Sequence, residues 1–207
     1  MRINDAVDRV SETAKKSGYI STEDKVQEIL ESIRMAPTSM GVQPFQVFVI
    51  KDQELKGQLL PVTFDEKEIE DCSHLLVFAA WDKVTEARVK TFIDINIEVR
   101  NFTPEKLAPL GAKMEEYIKD TPENNFLWAA RQAYLAFGVG LVAAVKANVK
   151  ATPIESFKSE GLDKLLGLKE LGLKSVAMML LSDKIEKRDS VAAPKTGKSE
   201  EDLLIHV

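Results

Sequence analysis

Apolar residues recur at helical spacing at the start of the chain, at Ile3, Val7, Val10 and Ala14, and again at Val26, Ile29, Leu30 and Ile33 behind the polar segment Ser21-Thr22-Glu23-Asp24. That period, with a capping segment before the second set, predicts two N-terminal helices. Ala36-Pro37-Thr38-Ser39-Met40-Gly41 breaks the rhythm, and the apolar run Phe45-Gln46-Val47-Phe48-Val49-Ile50 predicts a buried strand fed by a loop. Leu75-Leu76-Val77-Phe78-Ala79-Ala80 predicts a second strand, and the charged, periodic stretch 84–100 a helix. Thr103-Pro104 and Thr121-Pro122 each set a cap before a proline at the first helical position. From residue 123 to about 148 the pattern is apolar on most sides and rich in small residues, with Ala129, Ala133, Ala136, Gly138, Gly140 and Ala144 among them. Such a helix belongs at the centre of the protein or of a dimer. Val176-Ala177-Met178-Met179-Leu180-Leu181 predicts another strand. The polar stretch after Ser182 ends in Leu203-Leu204-Ile205, read as a short strand on an extended tail of the kind that pairs with a neighbour. Strands interleaved with longer helices, without an internal repeat, indicate an α+β protein with residues 1–207 as one domain.

Composition narrows the function classes. A chain of 207 residues buries a real core, and a net charge of -5 with mixed signs gives no reason to expect nucleic acid or an anionic membrane. The longest apolar candidate, residues 135–149, is interrupted by Lys146 and Asn148 and falls short of the roughly 20 residues of a membrane span. Cys72 is the single cysteine, which excludes an intrachain disulfide, and Met1-Arg2-Ile3-Asn4-Asp5 lacks the apolar core of a signal peptide, so the cytoplasm is the expected location. The two histidines, His74 and His206, lie far apart without a second ligand at metal spacing, so no metal site is expected. His74 reads as a hydrogen-bonded core residue and Cys72 as a small buried hydrophobe. Gly197-Lys198-Ser199 imitates the end of a phosphate-binding loop, but Ala192 stands where that motif needs glycine. Gly138-Val139-Gly140 falls inside a helical pattern and reads as helix packing.

Four segments carry a resemblance. Ile33-Arg34-Met35-Ala36-Pro37-Thr38-Ser39-Met40-Gly41-Val42-Gln43-Pro44-Phe45 is similar to a loop of the form APSS-x-x-x-QPW/F running into a first strand. Asp71-Cys72-Ser73-His74 resembles a DASH strand, and Trp128-Ala129-Ala130-Arg131-Gln132-Ala133-Tyr134-Leu135 the start of a central dimer helix. Thr152-Pro153-Ile154-Glu155-Ser156-Phe157 resembles a flavin-contacting Pro-x-Glu-Gly-Phe segment. In this order and spacing they resemble the nitroreductase family, close to its oxygen-insensitive bacterial type. The likeness spans nearly the whole chain and is thinnest over 51–70 and 84–125.

The resemblance implies a central mixed or antiparallel sheet flanked by helices, a long helix at the interface of an intertwined homodimer, and a C-terminal tail strand. It further implies FMN between the subunits, reduced by NAD(P)H and reoxidised by a nitroaromatic, quinone or other flat acceptor. No side chain is implied as catalytic, because the flavin N5 carries the chemistry while protein supplies placement and electrostatics. Pro153, Ile154 and Glu155 are expected along one ring face, with the amide of Glu155 or Ser156 near N5. Pro37, Thr38, Ser39 and Gly41 are expected from the partner subunit.

The phosphate clamp departs from the family pattern. Where relatives read R-x-S-x-K/R, this chain has Arg9-Val10-Ser11-Glu12-Thr13, with Thr13 in place of the second cation. Where relatives read K-x-R, it has Lys195-Thr196-Gly197, with Lys198 one residue away. Losing two charge-assisted hydrogen bonds costs on the order of 3 to 6 kcal/mol, roughly a hundredfold to ten-thousandfold in affinity. Before the DASH segment, Asp65 and Glu68 fall where relatives often carry asparagine and lysine. A carboxylate there opposes the charge of reduced flavin. Two alternatives therefore stand beside the enzyme: a homodimer with weakened or lost FMN binding that serves as a binding or regulatory protein, and one that uses free flavin as substrate.

Overall fold

The computed structural model describes residues 22–64, 66–182 and 197–206. The helix expected over residues 3–14 lies outside them. Helix α1 (Thr22–Arg34) carries Glu23 and Asp24 in its first turn and Arg34 in its last, matching the helix dipole at both ends. Val26, Ile29 and Ile33 are its buried face. A 3-10 turn at Ser39–Gly41 leads into β1 (Phe45–Ile50). Asp52 then caps the short α2 (Gln53–Leu59) by accepting from the Leu55 amide at 2.7 Å, and α3 (Glu68–Asp71) precedes β2 (His74–Trp81). Helices α4 (Glu86–Arg100), α5 (Pro104–Lys119) and α6 (Pro122–Lys146) follow, capped by Thr85, Thr103 and Thr121, whose hydroxyls accept amides of the first turn. The chain continues through β3 (Lys150–Ile154), α7 (Ser159–Leu165), β4 (Leu173–Ser182) and α8 (Glu200–Leu203).

The four strands form one antiparallel sheet in the order β1-β2-β4-β3, with a bulge between Phe78 and Ala79. Strand β2 is buried from His74 to Ala80, because side chains alternate between two covered faces. Leu76, Phe78, Met179 and Leu181 pack against α1 and α6. Leu75, Val77, Met178 and Leu180 pack on the other face with Leu59, Ile69 and Leu162. The helix-rich α+β architecture expected from the patterning is the one observed.

Helix α6 is the centre of the molecule. A methyl group at Gly140 would lie 2.9 Å from Ile33 Cγ1 and 3.1 Å from Met179 Cε, so glycine there lets α1 and the sheet approach closely. A methyl group at Gly138 would meet nothing within 4 Å. By length and composition α6 is apolar enough to cross a membrane, which the sequence reading over 135–149 did not anticipate. One side of it, including Ala129, Ala133, Ala136 and Ala144, is fully buried in the fold. The tail also differs from expectation. Ser199 Oγ accepts the Asp202 amide at 3.2 Å and Glu200 and Glu201 occupy the first turn, so a local cap makes helix α8 where Leu203 was expected in a strand. Leu203, Leu204 and Ile205 are all exposed.

Candidate functional site

The loop before β1 is held by a dense set of hydrogen bonds. The Gly41 amide donates to Thr38 O at 3.0 Å, the Gln43 amide to Thr38 Oγ1 at 3.2 Å, and Gln43 Nε2 to Arg34 O at 2.6 Å. Met40, Gly41 and Gln43 adopt left-handed backbone at φ 57°, 72° and 50°. Glycine accepts that freely, whereas Met40 and Gln43 store strain, as residues at ligand clamps often do. Buried Gln132 of α6 accepts the Ser39 amide at 2.7 Å and so pins the loop to the central helix. Pro37, Ser39 and Gly41 are left exposed and Thr38 half-buried.

The second segment leaves β3 at Ile154, which is buried and paired with Met178, and exposes Glu155 and Ser156. No hydrogen bond to another described residue engages the amides of Glu155 or Ser156. Both are therefore available as donors, which fits an acceptor atom such as a flavin ring nitrogen. The Tyr134 phenol of α6 lies beside the Glu155 carboxylate, and burial together with that carboxylate pushes the phenol up to about 12. The Lys158 amide donates to Val62 O at 2.7 Å and Lys158 Nζ to Pro61 O at 3.1 Å. Glu68 Oε2 accepts from both Lys150 Nζ and Thr152 Oγ1 at 3.2 Å each. The segments around Glu68 and around Glu155 thus form one rim.

Gln132 and Tyr134 are two residues apart on α6, which turns them about 200° around its axis. The Pro37–Gly41 stretch and the Pro153–Ser156 stretch accordingly hang from nearly opposite sides of one helix, and a single chain does not bring them together. Of the clamp candidates, Arg9, Val10, Ser11, Thr13 and Lys195 lie outside the described residues, as does Asp65. Lys198 is described and exposed, immediately before the Ser199 cap of α8. Gln132, Tyr134, Lys150 and Thr152 are residues to which the motifs assigned no role, although the first two sit inside the Trp128–Leu135 segment, Thr152 opens the Thr152–Phe157 segment and Lys150 lies two residues before it.

Neither His74 nor Cys72 joins this site. His74 is buried, with Nδ1 3.1 Å from Ser73 Oγ and Nε2 3.4 Å from Glu23 Oε2. Burial pushes the Cys72 thiol up, with Lys56 opposing. Among the described residues no cluster of three or more His, Cys, Asp or Glu could hold a metal ion.

Comparison with known proteins bears on the family and the fold. The profile of the Nitroreductase family matches residues 19–181. The oxygen-insensitive NAD(P)H nitroreductase of Salmonella typhimurium is 28% identical over 184 residues, covering 84% of each chain. A Bacillus subtilis protein provisionally described as a nitroreductase superposes with TM-score 0.78 at 17% identity, covering 92% of this chain and 91% of that one. An Exiguobacterium sibiricum protein of the same provisional description, solved in complex with FMN, gives TM-score 0.72 at 17% identity over 91% of this chain and 88% of its own. At such identity the structural likenesses speak for the fold alone, while the profile spans most of the sequence. The chain belongs to the nitroreductase family.

Proposed function

We propose that this protein is a homodimeric, FMN-dependent NAD(P)H oxidoreductase that passes electrons to nitroaromatic, quinone or similar flat acceptors. The observation that carries the reading is the pair of amides at Glu155 and Ser156 that no other described residue engages, presented by the segment that resembles the family's flavin-contacting motif. When bound, the flavin supplies hydride acceptance and delivery. The chain's own part is placement. Tyr134 stands beside the Glu155 side chain, β3 fixes Ile154 beneath it, and Lys158 ties the far end of the segment to Val62.

The second half of the site is read as coming from a second copy. Leu127, Tyr134, Leu135, Val142 and Val145 form an exposed stripe on α6 at helical spacing, with open space at Gly138 between them. An apolar stripe of that length on a central helix is the mark of an interface. Pairing two such helices would set the Pro37–Gly41 loop of one chain against the Glu155 segment of the other. Strand β1 is a sheet edge, lined by a concavity of about 760 Å³ between α1, β1 and α4. The exposed apolar tail Leu203-Leu204-Ile205 of a partner suits it.

The test is a visible spectrum of the purified protein followed by FMN titration, with sedimentation to fix the oligomer. The expected result is a dimer that takes up about one FMN per chain, as two equivalent interfacial sites require, and is bleached by NAD(P)H without oxygen. A colourless protein that high micromolar FMN does not saturate overturns the enzyme reading and favours a binding role. That second reading draws on Thr13 and Gly197, which weaken the phosphate clamp.

A further inference from the structure

The contact between α3 and β3 carries an inference that rests on the FMN reading above. Glu68 stands where the resemblance places a lysine, and alone it would oppose the negative charge of reduced flavin. It is not alone. Its Oε2 accepts from Lys150 Nζ and from Thr152 Oγ1, each at 3.2 Å, across more than 80 residues of chain. Both donors come from the strand that runs directly into Pro153, Ile154 and Glu155. Lys150 and Glu68 keep 46% and 51% of their side-chain surface exposed, so the pair adds little to folding and remains within reach of a ligand. A cation has therefore moved from the helix to the adjoining strand, on the rim shared by the two flavin segments.

We propose that Lys150, held in place by Glu68, is the positioned cation that balances the charge of reduced flavin in this protein. It substitutes for the lysine absent at position 68. Thr152 occupies the same carboxylate oxygen and keeps the pair in register with the strand.

The experiment compares wild type, Lys150→Met, Glu68→Gln and the double variant, each reconstituted with FMN, by dye-equilibrated midpoint potential and by FMN titration. Lys150→Met leaves a bare carboxylate and should weaken binding of reduced relative to oxidised FMN about tenfold, which for a two-electron couple is about 30 mV more negative. Glu68→Gln frees the ammonium and should shift the potential in the opposite direction. The double variant should return close to wild type. A purely structural pair would not give shifts of opposite sign. Unchanged potentials in both single variants, or shifts of the same sign, with FMN still bound overturn the role of Lys150 and leave the FMN reading intact. A wild-type protein that takes up no FMN overturns both.

Discussion

Tyr134 joins the central helix to the segment proposed to face the flavin, and its titration exposes that link. The phenol is raised from an ordinary 10.0 to about 12, by burial first and then by the Glu155 carboxylate. A folded value above the unfolded one means that its stabilising contribution is whole below about pH 10 and is lost as pH rises through about 12. Urea unfolding of wild type and Tyr134→Phe at a series of pH values should show a constant stability gap to about pH 10 and a narrowing gap above it. A gap that widens with pH would contradict the assignment. Lys56 is a different case. It is fully buried, with Nζ donating to Cys72 O at 2.6 Å and to Ser73 O at 3.4 Å. Lys56→Met keeps the volume but strands those carbonyls, and should cost about 1–3 kcal/mol in a denaturant titration. The adjacent Cys72 should resist thiol reagents until the protein unfolds, since burial raises its thiol. These residue roles were only partly legible in the sequence. Cys72 and His74 read correctly as interior residues, but nothing in the spacing of Lys56 announces a buried ammonium. Its partners are backbone carbonyls 16 and 17 residues away.

Among the elements, α6 separates two glycines that look alike in the sequence. Gly140 touches Ile33 and Met179, and Gly140→Ala should destabilise by about 1–3 kcal/mol through overpacking. Gly138 faces open space, and Gly138→Ala should instead stabilise an isolated chain by about 1 kcal/mol through helix propensity. Where two copies pack there, the same methyl weakens their association, which sedimentation at several concentrations would register. The long periodic elements were legible because each buries one face: α1, α6, β2 and β4 all lie where the apolar pattern put them. Short α2, α3 and α7 were not, since four to seven residues hold too few turns to show a period. The tail was misread because Leu203-Leu204-Ile205 has strand composition, whereas the Ser199 cap fixes the backbone just before it.

At the scale of the whole molecule, the family was legible in the motifs, but the mutual placement of the two segments proposed to face the flavin ring was not. Only the fold shows that Gln132 and Tyr134 send them to opposite sides of α6. A charge on the exposed stripe tests the assembly: Val142→Glu should turn a dimer into monomers and abolish FMN uptake with little effect on the fold, because the side chain is 53% exposed. An arrangement with each half-site on its own flank also has a genetic consequence. Gly41→Val forces a branched side chain onto a φ of 72°, and Glu155→Pro removes an amide, so under the proposed two-copy site each variant alone should spoil every site. Refolded together in equal amounts, the two variants form mixed pairs in which one site collects both lesions and the other collects neither. About a quarter of all sites should then regain FMN, as two-fold symmetry and random pairing require. Two broken alleles would complement each other inside a single particle.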